Sequence, residues 1–280
     1  MPDPSGSPAA ALARRHDPER FLAALTAPAE RRESLFAVLA LEFEIARTRE
    51  VVSEPLLGEI RLQWWDDALA AIAAGRPTPP HEFLAALAGA IREHGVEPEL
   101  LRAMVEARRR DLDDAPPATL DDLVAYAAAT GGAVARALAQ ALGGNDRPSQ
   151  DAARDVGTAW SLVGLLRALP HQARRNRMAL PADALAAAGL TPHDVAAGRG
   201  RERIRPIVAA VAAVASDAIG RARTARPPRA TLPALLPARL AAAHLRRLAR
   251  AAHDPFDARL RAPDGWRAMR VAWGAWTRRF

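Results

Sequence analysis

The stretch GTAWSLVGLLRALPHQARRNRMALPAD, Gly157 to Asp183, decides how this chain is read. It predicts a helix from about Ser149 to Leu169 that ends at Pro170, because an interior proline removes a backbone donor and clashes with the preceding turn. A basic loop follows, carrying His171, Arg174, Arg175 and Arg177 and closing on Leu180-Pro181.

The rest of the chain has the same character. Its 280 residues are long enough to bury a large core. Hydrophobic residues make up 50% and aromatics only 5%. Much of the apolar content is Ala, the best helix former, and no run alternates with period two, so the composition predicts an all-α protein. All 39 positions counted as Lys or Arg are Arg. A Lys-free, Ala- and Arg-rich chain is what a GC-rich genome produces, so the Arg excess says little about function. The net charge of +7 favours anionic partners such as lipid headgroups or diphosphates. A solvated Arg-rich surface is the expected reading of this charge, and nucleic acid is not an expected partner. There are no cysteines, which excludes disulfides and thiolate chemistry.

Helix signals punctuate the chain. Asp17-Pro18 reads as an N-cap with proline at the first helical position. Residues 1–15 are expected to be a disordered tail without a signal-type apolar stretch, and residues 16–280 a single helical domain. Pro28 begins a helix through Val52, with Leu35, Val38, Leu39, Phe43 and Ala46 on one face. Pro55 opens another that carries Trp64-Trp65. Thr119-x-x-Asp122 is a variant capping box. Roughly ten helices with short connections describe one bundle. The longest apolar run, Ile207 to Ala215, is far shorter than the ~20 residues that span a bilayer. The expected location is therefore cytoplasmic, with peripheral contact at the inner membrane face left open.

The residues quoted first resemble the second signature segment of the squalene/phytoene synthase family. There a helix through Leu-Arg-Asp continues into an acidic pair, then Ala-Arg-Arg-x-Arg and Leu-Pro. Here Leu166-Arg167, Ala173-Arg174-Arg175, Arg177 and Leu180-Pro181 match, while Ala168, His171 and Gln172 occupy the acidic positions. Arg61-Leu62-Gln63-Trp64-Trp65 matches the family's Arg-Leu-x-Trp-Trp helix. Ala107–Gly143 is similar to its middle segment, an Asp-rich helix end before a Tyr-containing helix. The resemblance implies an isoprenoid synthase-like bundle with a central cavity. It also implies a reaction in which aspartate-held Mg²⁺ neutralises a prenyl diphosphate leaving group.

The ligands for that metal are depleted here. Mg²⁺ wants hard oxygen donors, and Ala168, His171 and Gln172 supply no anion. The first metal motif maps near Ala46–Glu50, where Arg47 and Arg49 sit between Glu44 and Glu50. Glu44, Arg47 and Glu50 are expected to form an i,i+3 ion-pair ladder. Asp66-Asp67, Asp111/Asp113/Asp114 and Asp121-Asp122 are expected to be solvated. The degenerate Leu-Arg-Ala-x-Pro-His motif is similar to the branch containing the mitochondrial respiratory complex I assembly factor and its bacterial relatives.

That branch implies a non-catalytic assembly or accessory protein with no catalytic and no metal-binding residues. Its candidate anion- or lipid-binding cavity is formed by Arg47, Glu50, Arg61, Gln63, Arg167, His171, Arg174, Arg175 and Arg177. Its partners would be subunits of a membrane complex, or an isoprenoid or phospholipid ligand. The alternative is an active Mg²⁺-dependent transferase that condenses two prenyl diphosphates. The C-terminal helix, with Trp266, Trp273 and Trp276 among arginines, is expected to pack its aromatic side on the core; lying on an anionic membrane or a partner is the other reading.

Overall fold

Proline at a first helical position loses no helical hydrogen bond there, and it opens helix after helix in this chain. The computed structural model describes residues 6–52, 54–113, 115–175, 177–261 and 265–280. It begins with α1 (Pro8–His16), α2 (Pro18–Ala24), α3 (Ala29–Ala46), α4 (Thr48–Val51) and α5 (Pro55–Ala73). Next come α6 (Leu84–Arg92), α7 (Pro98–Ala107), α8 (Leu120–Ala127), α9 (Ala133–Ala141) and the long α10 (Arg147–Ala173). The chain continues as α11 (Ala182–Ala187), α12 (Pro192–Ala196), α13 (Arg201–Thr224), α14 (Leu232–Leu235) and α15 (Pro237–Arg250). It finishes with α16 (Ala258–Arg261) and α17 (Arg267–Thr277). Among the described residues there is no strand, and the fold is the all-α single-domain bundle that the composition predicts.

Three sequence expectations are corrected. Residues 1–5 of the expected disordered tail lie outside the described residues, but from Pro8 the chain is helical. Ser7 accepts the Ala10 N–H (3.1 Å) and donates to Glu33 (2.8 Å), while Ala9, Ala10 and Ala13 are buried. Small side chains on that face let α1 lie close against α3. Secondly, the helix expected from Pro28 through Val52 breaks at Arg47, and its apolar face is not one-sided. Ser34 to Leu41 are all buried, so α3 runs through the core and not along its edge. Thirdly, α10 runs past Pro170 to Ala173. A proline in the last turn forfeits one ladder bond, and the Gln172 carbonyl closes the end by accepting Arg175 N–H (2.9 Å) and Arg177 N–H (3.0 Å).

α10 is the axis of the bundle. It packs on α13, α15 and the α8–α9 segment. Asp146 starts it by accepting the Ser149 N–H (2.9 Å), and Arg221 of α13 grips Asp155 with two nitrogens (3.0 and 3.2 Å). Between α8 and α9 the residues Ala128–Gly132 form a π turn, and there the two backbones come into contact. A Cβ added to Gly131 would lie 2.6 Å from the Gly157 carbonyl oxygen and 2.7 Å from Ser161 Cβ. A Cβ on Gly157 would collide with the Gly131 carbonyl oxygen. Trp65 is buried against Phe83, with ring centroids 5.6 Å apart.

The aromatic side of α17 does not pack on the core. Val271 and Gly274 are its buried residues, whereas Trp266, Trp273 and Trp276 are 61%, 53% and 75% exposed. A Cβ on Gly274 would lie 2.6 Å from Arg239 Cδ and 2.7 Å from Leu236 Cδ2. The small residue therefore sets which face docks, and the tryptophans are left outside.

Gly157→Ala is expected to cost at least about 1–3 kcal/mol, because the obstacle is backbone and not a movable side chain. Urea denaturation of the two proteins measures it. A pH effect follows from His244 of α15, where burial and then the charges of Arg167 and Arg247 push the imidazole down to about 4 from 6.5. The folded state holds this group neutral, so between those values only unfolding takes up the proton. Stability is full above pH 6.5 and is lost as the pH falls, by about 2 kcal/mol between pH 7 and pH 5. Melting temperatures across this range are expected to fall less steeply for His244→Leu.

Candidate functional site

The α3–α4 junction, the 3-10 turn Arg108–Leu112, α8 and the C-terminal end of α10 surround a cavity of about 230 Å³. Leu123, Leu165 and Met178 form its apolar wall, and Glu50, Arg108, Arg110, Asp111, Tyr126, Gln172 and Arg177 its polar wall. Asp113 stands at the rim and accepts the Ala115 N–H (3.1 Å).

One wall belongs to a chain of charges that crosses the bundle. Asp17, the cap of α2, pairs with Arg20. Arg20 donates to Glu42 of α3 (2.8 Å), and Arg108 donates to the other Glu42 oxygen (3.2 Å). Arg108 also donates to Asp111 (3.1 Å) and to the Tyr126 hydroxyl (2.7 Å), and that hydroxyl donates to Asp111 (2.6 Å). The guanidinium groups of Arg108 and Arg110 face the Tyr126 ring at 5.8 and 5.9 Å.

Burial opposes the charge on Glu42, but Arg20 and Arg108 outweigh it and hold the carboxyl below its ordinary range. Burial opposes the charge on Arg108 as well, and Tyr126, Asp111 and Glu42 nevertheless keep it more firmly protonated than a free arginine. Burial pushes the Tyr126 phenol up, so it acts as a neutral donor.

Of the nine residues expected at this site, Glu50 and Arg177 line the cavity. Arg175 reaches Glu50 at 3.9 Å. Arg47 and Arg61 converge on the buried Glu44, Arg47 at 3.5 Å. The ladder expected over Glu44, Arg47 and Glu50 thus stops after one rung, since the helix breaks at Arg47 and Glu50 turns to Arg175. The other four lie elsewhere. Gln63 donates to Asp67 (2.9 Å) and accepts from Arg109 (3.0 Å) in an outer groove. Arg167 donates to Glu19 of α2 (2.7 Å). His171 and Arg174 are exposed, because one helical turn points successive residues of a motif to different sides.

Asp111, expected to be solvated, is a cavity residue, and its partners Arg108 and Tyr126 are members that sequence reasoning missed, as it missed Glu42, which holds Arg108 from α3. The available signal was Tyr126, the single tyrosine of the chain, placed shortly after an Arg- and Asp-rich helix end. Asp66, expected to be solvated, is only partly exposed and is held by Arg102 at 2.8 and 3.0 Å, whereas Asp67 is exposed. Asp122 closes the Thr119 capping box, and Asp114 lies outside the described residues.

These donors do not fit Mg²⁺. Each acidic group on the cavity wall already has a partner: Asp111 has Arg108 and Tyr126, Glu50 has Arg175, and Asp113 has a backbone amide. Cationic neighbours compete with a metal for the same oxygens. Among the described residues no three His, Asp or Glu side chains converge as a metal site. Gln172 faces the cavity where the related motif carries an acid, and its Oε1 is buried without a hydrogen-bond partner.

A profile of squalene/phytoene synthases matches residues 13–274. The chain belongs to the squalene/phytoene synthase family. Among its relatives is the Bos taurus NADH dehydrogenase (ubiquinone) complex I, assembly factor 6, 31% identical over 214 residues. That alignment covers 76% of this chain but 64% of the bovine protein, so the chain spans less than two thirds of that relative. Phytoene synthase 1 of Arabidopsis thaliana is 30% identical over 66% of this chain and 45% of its own length. Squalene synthase HpnC from Alicyclobacillus acidocaldarius superimposes with a TM-score of 0.77 at 20% identity, covering 89% of this chain and 94% of that one. That likeness shows the shared fold.

Within this member of the family the Arg108 cluster sets the shape of the cavity wall. Arg108→Ala is expected to destabilise by about 3–5 kcal/mol, since it strips a counter-charge from Glu42 and Asp111 together. Tyr126→Phe should cost about 1–3 kcal/mol. Chemical denaturation tests both, and the paired change Arg108→Met with Glu42→Leu should recover part of the loss.

Proposed function

We propose that this squalene/phytoene synthase family member is a non-catalytic assembly or accessory factor of the respiratory complex I type, working peripherally at the inner face of a membrane. The observation that carries the proposal is the state of the acidic positions around the cavity. Ala168, His171 and Gln172 stand where metal-binding acids belong in the related motif, and the remaining wall carboxylates are engaged by arginines or backbone. Ionising a prenyl diphosphate needs concentrated positive charge from metal ions on the leaving group, and these side chains do not supply the anions that would hold them. The likeness to complex I assembly factor 6 along three quarters of the chain supports the same reading.

The cavity suits an amphiphile, with Leu123, Leu165 and Met178 for an isoprenoid or acyl portion and Arg110 and Arg177 for an anionic head. Its proposed role is to hold such a ligand, or to stay filled, while the outer surface meets subunits of a membrane complex.

Purified protein incubated with Mg²⁺ and farnesyl or geranylgeranyl diphosphate is expected to release no diphosphate and form no hydrocarbon above background. Turnover to a squalene- or phytoene-like product would overturn the non-catalytic reading in favour of the transferase. A pull-down from a membrane lysate in mild detergent is expected to enrich complex I subunits, and native mass spectrometry of the same preparation reports any lipid in the cavity.

A further inference from the structure

The face made by α15 and α17 lies away from the cavity and is untouched by anything proposed for it. Three hollows adjoin there and share Arg239 as a wall. One, of about 120 Å³, is bounded by Arg223, Arg239, Arg246 and Arg270 with Ala242 between them. The other two, of about 540 and 310 Å³, are bounded mainly by Trp273 with Trp276 and by Trp266 with Met269. No described residue lining any of the three is acidic.

Arg223, Arg239 and Arg246 lie together in this hollow with no acidic side chain among its described lining residues, so they repel one another. Among the described residues Arg223, Arg239 and Arg246 form no ion pair. Arg223 donates to the Phe280 carbonyl (3.0 Å) and Arg239 to the Arg279 carbonyl (3.3 Å). Burial, and then the charges of Arg223, Arg270 and Arg246, disfavour the protonated form of Arg239. An arriving anion would relieve this repulsion.

The anion must arrive together with an apolar phase. Trp273, Trp276, Trp266 and Met269 are each more than half exposed, a concentration of large apolar side chains that water alone does not favour. Tryptophan beside arginine is the combination that settles at a lipid–water interface, the indole at headgroup depth and the cation on phosphate. A free phosphate would use the arginines and leave the tryptophans in water. An acidic protein would leave the two Trp-lined hollows without an apolar counterpart.

We propose that the α15–α17 face is a membrane-docking surface specific for anionic phospholipid, with a headgroup phosphate in the four-arginine hollow and the tryptophans in the interfacial layer. This deepens the membrane-side placement proposed above by naming the surface responsible. It needs neither a complex I partner nor an occupied cavity, so the two readings fail separately: purified protein and vesicles test this one, and the pull-down tests the other.

The test is co-sedimentation of the full chain with phosphatidylcholine vesicles, with or without roughly 30% phosphatidylglycerol, read together with tryptophan emission. The expected result is binding to the anionic vesicles alone, with a blue shift, weakening as salt rises. The double variant Arg239→Gln with Arg246→Gln should bind roughly thirty-fold more weakly. Trp273→Ser with Trp276→Ser should lose the blue shift and most of the binding while keeping the wild-type circular dichroism and melting temperature. Because Arg239 supports the docking of α17, Arg246→Gln alone is the control for folding and should weaken binding several-fold. The proposal is overturned by equal binding to neutral vesicles, by no binding at low salt, or by variants that bind like the wild type. Competition by millimolar inorganic phosphate would reassign the hollow to a soluble anion, and capture of an acidic protein without vesicle binding would reassign the face to a protein; either also overturns it.

Discussion

Backbone contact between Gly131 and Gly157 is the constraint on which the architecture rests. α10 can cross the α8–α9 segment at this depth because neither position carries a Cβ. The π turn over Ala128–Gly132 lies at the same crossing. Tyr126 and Leu123 stand before that turn and Leu165 and Gln172 beyond Gly157, so the crossing brings α8 and the end of α10 to the same cavity. A wider crossing would separate the apolar wall from the charged one.

The charged wall works by complementarity more than by attraction. Desolvation offsets much of what a buried ion pair gains, so the run from Asp17 through Arg20, Glu42 and Arg108 to Asp111 and Tyr126 adds less stability than its geometry suggests. Its effect is to penalise any packing that leaves one member unpaired. Four elements of the chain, α2 with its Asp17 cap, α3, the Arg108–Leu112 turn and α8, are held in register in this way. The same pairing leaves Asp111, the carboxylate this run contributes to the cavity wall, engaged by Arg108 and Tyr126.

The bundle also has an outside that its core does not explain. α17 docks through Val271 and Gly274, and that contact turns its tryptophans toward solvent beside the arginines of α15 and α13. A helical period of seven does place Trp266 and Trp273 on one side, but which side meets the core depends on where a small residue admits the neighbouring helix. Gly274 against Leu236 and the Arg239 stem makes that choice.

Features carried by neighbouring residues were legible in the sequence. They include the helical class from alanine content, the starts at Pro18 and Pro55, the Thr119 capping box, and the family from the order of Arg61–Trp65 and Leu166–Pro181. Helix caps and first-turn prolines act within about four residues, so one dimension suffices to read them. The removal of acidic character at Ala168, His171 and Gln172 was visible for the same reason. The membership of the cavity was decided by tertiary contacts alone. Arg167, His171 and Arg174 share a motif with Arg177 yet point away from it, whereas Arg108, Asp111 and Tyr126 come together with Glu42 from positions as much as 84 residues away along the chain. Burial and charge pairing depend on which elements meet, and in this bundle that is set where two glycines let two backbones touch.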